Sequence, residues 1–295
     1  MHIQQTLAGT FMMSLMLIAT AEPAPPEIMT AAALMDFPQP EADHVLAYGD
    51  EPLQFGELRL PDGEGPFPVV VLIHGGCWMS EYDIGHSRKL ADAFPQEGIA
   101  TWSLEYRRIG DPGGAWPGTF DDIEAGFTYL SELTDRFPLD PDRVILAGHS
   151  AGGHLALWMA QRIEEQQSAD VIYPRGVLGL APAPDLEYLY EHQTCGNAAG
   201  KLMGGSPEEH PERYRYGSVA NRIPQSTPQV AVIGKYDETW RPVGVRYAKA
   251  AFGQGAPIRV IDAPEAGHFE LIDPDSTTWP LVLGAARELL GNAPD

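Results

Sequence analysis

Continuously apolar runs alternate with amphipathic stretches along most of the chain. Strand-like runs are expected at 55–60, 68–73, 99–104, 143–147, 176–180, 229–233 and 258–262. From Val69 onward these runs are apolar at consecutive positions, which is typical of strands that helices cover on both faces. Helix-like stretches are expected at about 86–96, 121–135, 150–166, 242–251 and 276–290. This alternation predicts right-handed βαβ units and one mostly parallel central sheet flanked by helices.

One interval, about 182–228, has no clear strand-like run. It contains several prolines and glycines and a tyrosine-rich segment. Long insertions between sheet strands often cover a binding site, so a cap-like insertion is expected here, with an ordinary surface loop as the alternative. Because no internal repeat or low-complexity stretch follows residue 40, residues 45–295 are expected to form a single α/β domain.

The beginning of the sequence has the features of an export signal. An apolar run over 7–21 ends in Ala19-Thr20-Ala21, a small-x-small cleavage site. The run is shorter than the ~20 residues that span a bilayer, so no stable membrane span is expected. We expect a signal peptide over 1–21, a mobile leader over 22–44, and a secreted or periplasmic protein. The alternative is a cytoplasmic protein with a hydrophobic N-terminus.

The composition limits the classes of partner. The sequence has 19 Lys and Arg against 41 Asp and Glu, a formal net charge of −22. Nucleic acids and anionic membrane surfaces bind basic patches, so neither is an expected partner. No spacing typical of metal ligands is present, and no metal or cofactor is expected. The sequence does not indicate an oligomeric state.

The pentapeptide Gly-His-Ser-Ala-Gly at 148–152 lies between a strand-like and a helix-like run. A serine in G-x-S-x-G at this position lies on a sharp strand-to-helix turn, with its hydroxyl exposed above the sheet. Ser150 is therefore the expected nucleophile. A serine hydroxyl needs a neighbouring base, and the base needs a third group that orients it.

The base and the acid are expected after later strands, in the chain order serine, acid, histidine. His268 follows the last strand-like run in a glycine-containing loop, and it is the expected base. His154 is interpreted as structural. His192 and His210 are interpreted as surface residues of the insertion, with contact to the substrate as the alternative. The expected acid is Asp237, three residues beyond Gly234; Glu238 and then Asp262 are the alternatives.

An ester or amide substrate also requires donors for the oxyanion that develops on its carbonyl. The residue after the nucleophile supplies one backbone N–H, that of Ala151. The loop after the 68–73 run reads His-Gly-Gly-Cys-Trp, and the backbone N–H groups of Gly76 and Cys77 are the expected second source. His74 is expected to brace this loop.

Four aromatic side chains are candidates for the walls of a substrate pocket: Trp78, Tyr82, Trp116 and Tyr190. Ordinary core or surface packing is the alternative for each. The two cysteines of the chain, Cys77 in the oxyanion loop and Cys195 in the insertion, permit one disulfide in an oxidising compartment. Two unpaired thiols are the alternative.

Over roughly residues 45–292 the chain resembles the α/β-hydrolase superfamily. The motif His-Gly-Gly-x-Trp at 74–78 and Gly-His-Ser-Ala-Gly-Gly-His-Leu-Ala at 148–156 are similar to those of hormone-sensitive-lipase-related carboxylesterases and kynurenine-formamidase-like hydrolases. Leu-Glu-Tyr-Arg at 104–107 also resembles a segment of those families. Cys77 replaces the third glycine of the esterase motif, and the long N-terminal helical lid of many relatives is not evident.

The resemblance implies the α/β-hydrolase fold, with a cap-like insertion after the sixth strand of that fold. It also implies a serine hydrolase that cleaves a small-molecule carboxylic ester through an acyl-enzyme. An arylformamidase or other amide hydrolase with the same triad is the alternative. A non-catalytic binding protein on the same scaffold is a third interpretation, although such proteins usually lose one member of the triad.

Overall fold

The centre of the molecule is an eight-stranded sheet with strand order β1-β2-β4-β3-β5-β6-β7-β8. This computed structural model describes residues 26–167 and 171–291, so the expected signal peptide, 1–21, lies outside the described residues. The strands are β1 (His44–Ala47), β2 (Phe55–Arg59), β3 (Phe67–Ile73), β4 (Ala100–Leu104), β5 (Leu139–His149), β6 (Val177–Leu180), β7 (Gln229–Gly234) and β8 (Ile258–Ala263). The β1–β2 and β2–β4 pairs are antiparallel and the other pairs are parallel. The expected mostly parallel sheet is therefore confirmed.

Helices occupy most of the connections between the strands. They are α1 (Arg88–Gln96), α2 (Gly118–Thr128), α3 (Leu130–Arg136), α4 (Ala151–Gln166), α5 (Leu186–Glu191), α6 (Thr194–Met203), α7 (Pro211–Gly217), α8 (Arg241–Gly253) and α9 (Trp279–Leu289). Strands β4, β6 and β7 are buried at every position, as expected of strands covered on both faces, whereas the edge strand β8 is partly exposed. Within 26–167 and 171–291, no helix has both the length and the apolarity needed to cross a bilayer.

Two elements differ from the sequence prediction. Strand β1 was not expected, because it has only four residues and most of them are exposed, which leaves almost no apolar pattern to detect. The single helix expected over 121–135 is two helices, α2 and α3, which meet at Tyr129. Neither difference changes the parallel strands that carry the site.

The 182–228 insertion is helical, containing α5, α6, α7 and a short 3-10 helix at Val219–Asn221. It packs against the domain through backbone acceptors. The Leu202 carbonyl accepts a hydrogen bond from the Trp116 N–H, and the Gly217 carbonyl accepts one from the buried His154 ring. The insertion is thus attached to the loop before α2 and to the helix that follows the expected nucleophile.

The segment expected as a mobile leader, 22–44, lies against the domain from residue 26 onward. A 3-10 helix at Ala31–Asp36 buries Leu34 in the core. The Met29 N–H donates to the carboxylate of Glu270, and the same carboxylate accepts from the Gly267 N–H. The described part of this segment therefore contacts the loop that carries His268.

Candidate active site

The expected nucleophile lies on a tight turn between β5 and α4. Ser150 has φ 53° and ψ −114°, a backbone conformation that costs free energy and is held by its surroundings. Its N–H donates to the Leu180 carbonyl at 2.8 Å, and its carbonyl accepts from the Ala183 N–H. A Cβ at position 152 would lie 2.0 Å from the Ile73 carbonyl oxygen, so only glycine allows α4 to approach β3 this closely.

His268 and Asp237 meet at the same edge of the sheet as Ser150. Their loops follow β8 and β7, and the carboxyl ends of parallel strands share one edge. The His268 Nδ1–H donates to Asp237 Oδ2 at 2.6 Å, while the Trp240 N–H donates to Asp237 Oδ1 at 2.9 Å. The Asp237 side chain is 3% exposed and that of His268 is 11% exposed. This carboxylate therefore fixes which ring nitrogen of His268 carries the proton.

The other candidate acids and histidines lie elsewhere. Asp262 accepts a hydrogen bond from Arg241, and Glu238 is exposed. His192 stacks on Tyr188, and the His210 ring contacts the Gly204 carbonyl. His154 is fully buried in the interior. Of the residues considered from sequence, the structure brings Asp237 and His268 together beside Ser150.

The loop after β3 presents free backbone donors. Gly76 has φ 106° and Cys77 has φ 53°, positive values that show a tight turn of the backbone directly after the strand. Within the described ranges, the N–H groups of Gly76, Cys77 and Ala151 donate to no other protein group. Gly76 and Cys77 also line the cavity that contains Ser150. The arrangement fits an oxyanion hole.

The carboxylate of Glu105 holds the loop after β3 in place. In the sequence, Glu105 is recognisable only as part of the Leu-Glu-Tyr-Arg motif. Glu105 accepts from the His74 ring at 3.1 Å and from the Ile84 N–H at 2.9 Å, and it pairs with Arg108 at 3.2 Å. Burial raises the pKa of Glu105, but the His74, Arg108 and Ile84 donors together outweigh burial and keep that pKa below its ordinary value. His74 therefore braces the loop through Glu105.

The cavity around Ser150 has a volume of about 250 Å³. Its wall is formed by Gly76, Cys77, Met79, Tyr82, His86, His149, Ser150, Cys195, Trp240, His268 and Phe269. Tyr82 is the one expected pocket aromatic in this wall. Three apolar residues of the wall were not predicted from the sequence: Met79, Trp240 and Phe269. No local pattern distinguishes an apolar residue in a cavity wall from one in the core.

Three expected pocket aromatics lie elsewhere, which corrects the sequence interpretation. Trp78, at φ 57°, is 1% exposed and packs edge-on against His154 in the core. Trp116 packs against Phe120 and Tyr216 and lines a separate cavity. Tyr190 lies against Tyr214 of the insertion. For each, the alternative of ordinary packing describes the contacts found.

Cys77 and Cys195 meet at the cavity wall. Their sulfur atoms are 1.95 Å apart, at bonding distance, and join positions 118 residues apart in sequence. The bridge connects the loop after β3 to α6 of the insertion. Cys195 is also the insertion residue that lines the cavity, so the bridge itself forms part of the wall.

Three buried histidines, two in the cavity wall and one in the core, are held neutral. Burial lowers the pKa of His86 to about 3 and that of His154 to about 4, and it lowers the pKa of His149 well below its ordinary value. In the unfolded chain these rings take up protons near pH 6.5. Between about pH 4 and 6.5 the unfolded state therefore binds more protons, so stability falls as the pH falls.

We expect each of these histidines to contribute roughly 1.4 kcal/mol of lost stability per pH unit below 6.5. Urea unfolding at pH 6.5, 5.75 and 5.0 measures the slope. His154→Gln reduces the slope by about one third, since one of three such groups is removed. His192→Gln, at an exposed histidine, is the control and leaves the slope unchanged. An equal slope in wild type and His154→Gln contradicts this interpretation.

Curated relatives match the chain over limited lengths. The "Probable isoprenylcysteine alpha-carbonyl methylesterase ICMEL1" of Arabidopsis thaliana is 30% identical over 139 residues, 46% of this chain and 29% of the relative. "Esterase LipC" of Mycobacterium tuberculosis is 24% identical over 77% of this chain and 59% of the relative. The match thus spans about a third of the plant relative and over half of the mycobacterial one.

Solved structures agree with the fold. Esterase B from Lactobacillus rhamnosis, inhibited by a tributyrin phosphonate, superposes with a TM-score of 0.72 at 20% identity, covering 88% of this chain and 90% of that one. The chain therefore has the α/β-hydrolase fold that the motifs implied. The family model of BD-FAE matches residues 57–243, which include the loop after β3, Ser150 and Asp237. The chain belongs to the BD-FAE family.

Proposed function

We propose that this chain is a serine hydrolase of carboxylic esters, with Ser150 as nucleophile, His268 as general base and Asp237 as the orienting acid. The observation that carries the proposal is the 2.6 Å hydrogen bond between His268 and Asp237 beside a cavity that Ser150 also lines. Because Nδ1 carries the proton toward Asp237, Nε2 retains the lone pair that a general base requires.

The reaction proceeds in two halves. The Ser150 oxygen bonds to the ester carbonyl carbon as His268 Nε2 accepts the hydroxyl proton, and the carbonyl π electrons move to the oxygen. Collapse of this intermediate breaks the bond to the alcohol, which leaves with the proton from His268. Water then repeats the sequence on the acyl-enzyme, releasing the acid and restoring Ser150.

The oxyanion of each intermediate would accept from the backbone donors of Gly76, Cys77 and Ala151. Their N–H groups have no competing protein acceptor in the described structure, so they are free to bind it. Each such donor contributes about 3–4 kcal/mol in the transition state. The Asp237 carboxylate stabilises the imidazolium that forms at the same time.

Esters are favoured over amides by the relatives. The matched proteins are named as a methylesterase and an esterase, and the superposed structure is an esterase inhibited by a tributyrin phosphonate. The chain covers only part of the curated relatives, so the choice of ester remains part of the proposal. A non-catalytic role is disfavoured because all three expected triad residues are present, His268 is hydrogen-bonded to Asp237, and Ser150 and His268 line the same cavity.

The cavity size indicates a short acyl group. At about 250 Å³ it is smaller than the 300–1,000 Å³ of ordinary ligand pockets. We expect p-nitrophenyl acetate, propionate and butyrate to be turned over at least about tenfold more efficiently, by kcat/KM, than the octanoate, because a cavity of this volume cannot enclose the longer chain. Tyr82→Ala, which removes part of the wall, shifts the preference toward the octanoate.

The same assay panel includes N-formylkynurenine. Turnover of this formamide that exceeds ester turnover by orders of magnitude would overturn the ester assignment and leave the triad assignment intact. A preference for octanoate in the wild type would overturn the short-acyl assignment alone.

We further propose that the protein is exported to an oxidising compartment. The Cys77–Cys195 bridge supports this location, since disulfides persist in secreted and periplasmic proteins and are rare in the cytosol. Fractionation of cells that express the full chain tests the proposal, and enzyme found with the cytosolic fraction contradicts it.

A further inference from the structure

Two buried histidines outside the expected triad form a hydrogen-bonded pair beside it. His149, the residue before Ser150, contacts the ring of His86 through Nδ1 at 2.9 Å. Its Nε2 contacts the backbone carbonyl of His268 at 3.0 Å. The chain of contacts thus runs from the 3-10 helix Ile84–Ser87, through the turn at Ser150, to the loop that carries His268.

The partners determine where the protons lie. A carbonyl oxygen only accepts, so His149 Nε2 carries a hydrogen and donates it to His268. The neutral His149 ring then has a lone pair on Nδ1, which must accept from His86 Nε2–H. The remaining His86 nitrogen, Nδ1, is buried and has no partner in the described structure, in agreement with a ring that carries no proton there.

Packing leaves the pair little freedom. His149 is fully buried, and its ring lies beside that of His86, with the centroids 5.1 Å apart and the ring planes 27° apart. A Cβ at position 75 would lie 2.9 Å from His86 Nε2 and 3.0 Å from His149 Nδ1, so the glycine there makes room for the pair. Burial keeps both pKa values low, and both rings therefore stay neutral at the pH where His268 works as a base.

The pair acts on the backbone of His268 and not on its reacting nitrogen. The preceding residue is held separately, because the Gly267 N–H donates to Glu270 at 2.9 Å. With Asp237 on Nδ1 and Trp240 stacked on the ring at 5.4 Å, the His268 backbone and side chain are each fixed. A neutral neighbour is also required, since the His149 and His268 rings are 4.4 Å apart and a second cation would oppose imidazolium formation.

We infer that His149 is a positioning residue for the expected catalytic base: its Nε2–H holds the His268 carbonyl, and the hydrogen bond from His86 fixes the tautomer that makes this possible. The inference rests on the proposed function. It explains how the nucleophile turn and the base loop, 118 residues apart in sequence, are set relative to each other. Small displacements of a catalytic group cost up to about 100-fold in rate.

The test compares two substitutions of similar size, His149→Gln and His149→Leu. Glutamine retains one donor and one acceptor, whereas leucine retains neither. We expect His149→Leu to lower kcat for p-nitrophenyl acetate about 10- to 100-fold, and His149→Gln to stay within about fivefold of wild type. KM changes less than kcat in the leucine variant, because the effect is on the base. Equal kcat values for the two variants would overturn the inference.

A spectroscopic measurement does not depend on the variants folding. Ring nitrogens of 15N-histidine-labelled wild-type protein report which nitrogen carries the proton. We expect His149 and His86 each to be neutral and protonated on Nε2 between pH 6 and 7.5. A His149 ring protonated on Nδ1 would overturn the inference even if His149→Leu could not be purified.

Failure of the proposed function gives a different pattern. A wild-type protein whose Ser150 does not react with a fluorophosphonate would contradict the nucleophile assignment, whatever the histidine tautomers are. A reactive Ser150 with equal rates of phosphonylation in His149→Leu and His149→Gln would contradict only the positioning role.

Discussion

Ser150→Ala is expected to lower kcat/KM for p-nitrophenyl acetate by at least about 10⁴-fold, since no acyl-enzyme can form without the hydroxyl. The substitution is not expected to unfold the protein or to change its stability. The turn is set by the glycine at 152 and by the hydrogen bonds of the Ser150 backbone, neither of which the substitution removes. Initial-rate assays and urea unfolding of the same preparation separate the two effects.

The control for this variant is Ser131→Ala, an exposed serine on α3, which is expected to retain wild-type activity. Residual activity in Ser150→Ala comes from the oxyanion donors and substrate binding alone, so it should be insensitive to fluorophosphonate. Activity above about one per cent of wild type that a fluorophosphonate still abolishes would mean that another residue is the nucleophile.

Asp237→Asn is expected to lower kcat about 10³- to 10⁴-fold while leaving the fold and KM nearly unchanged. The asparagine oxygen still accepts from the Trp240 N–H, so its amide group faces His268 and donates to Nδ1. The imidazole then carries its proton on Nε2, facing Ser150, where it has no lone pair to act as a base.

Asp262→Asn is the matched control, since Asp262 was the weaker candidate from sequence and instead pairs with Arg241 at the sheet edge. We expect less than a threefold change in kcat. A loss of activity in Asp262→Asn comparable to that in Asp237→Asn would contradict the assignment of the orienting acid.

The chain order of the triad follows from the sequence because each member sits directly after a strand-like run. Parallel strands deliver their carboxyl ends to one edge, so Ser150, Asp237 and His268 are brought close by topology. The glycines in the motifs indicate the same edge of the sheet, because only glycine allows two backbone segments to approach each other so closely there. Local patterns thus sufficed for the parallel strands and for the residues proposed to react, but not for the short, exposed strand β1.

The walls of the cavity and the support of the base do not follow from local patterns. Trp78 follows an apolar strand and two glycines, yet its positive φ turns the ring into the core. The His86–His149 contact joins residues 63 positions apart. The role proposed for it also depends on the backbone carbonyl of His268, 119 positions after His149. Such contacts are set by tertiary packing, which spacing along the chain does not report.

The most direct test of the proposed nucleophile is covalent labelling of the wild-type protein with a fluorophosphonate, followed by tryptic digestion and mass spectrometry. Cleavage after Arg143 and Arg162 releases the peptide Val144–Arg162, whose one hydroxyl-bearing side chain is Ser150. We expect one adduct per chain, carried by this peptide, with loss of esterase activity in proportion to labelling. Inactivation without an adduct on Val144–Arg162, or an active enzyme that carries a stoichiometric adduct there, would contradict the account.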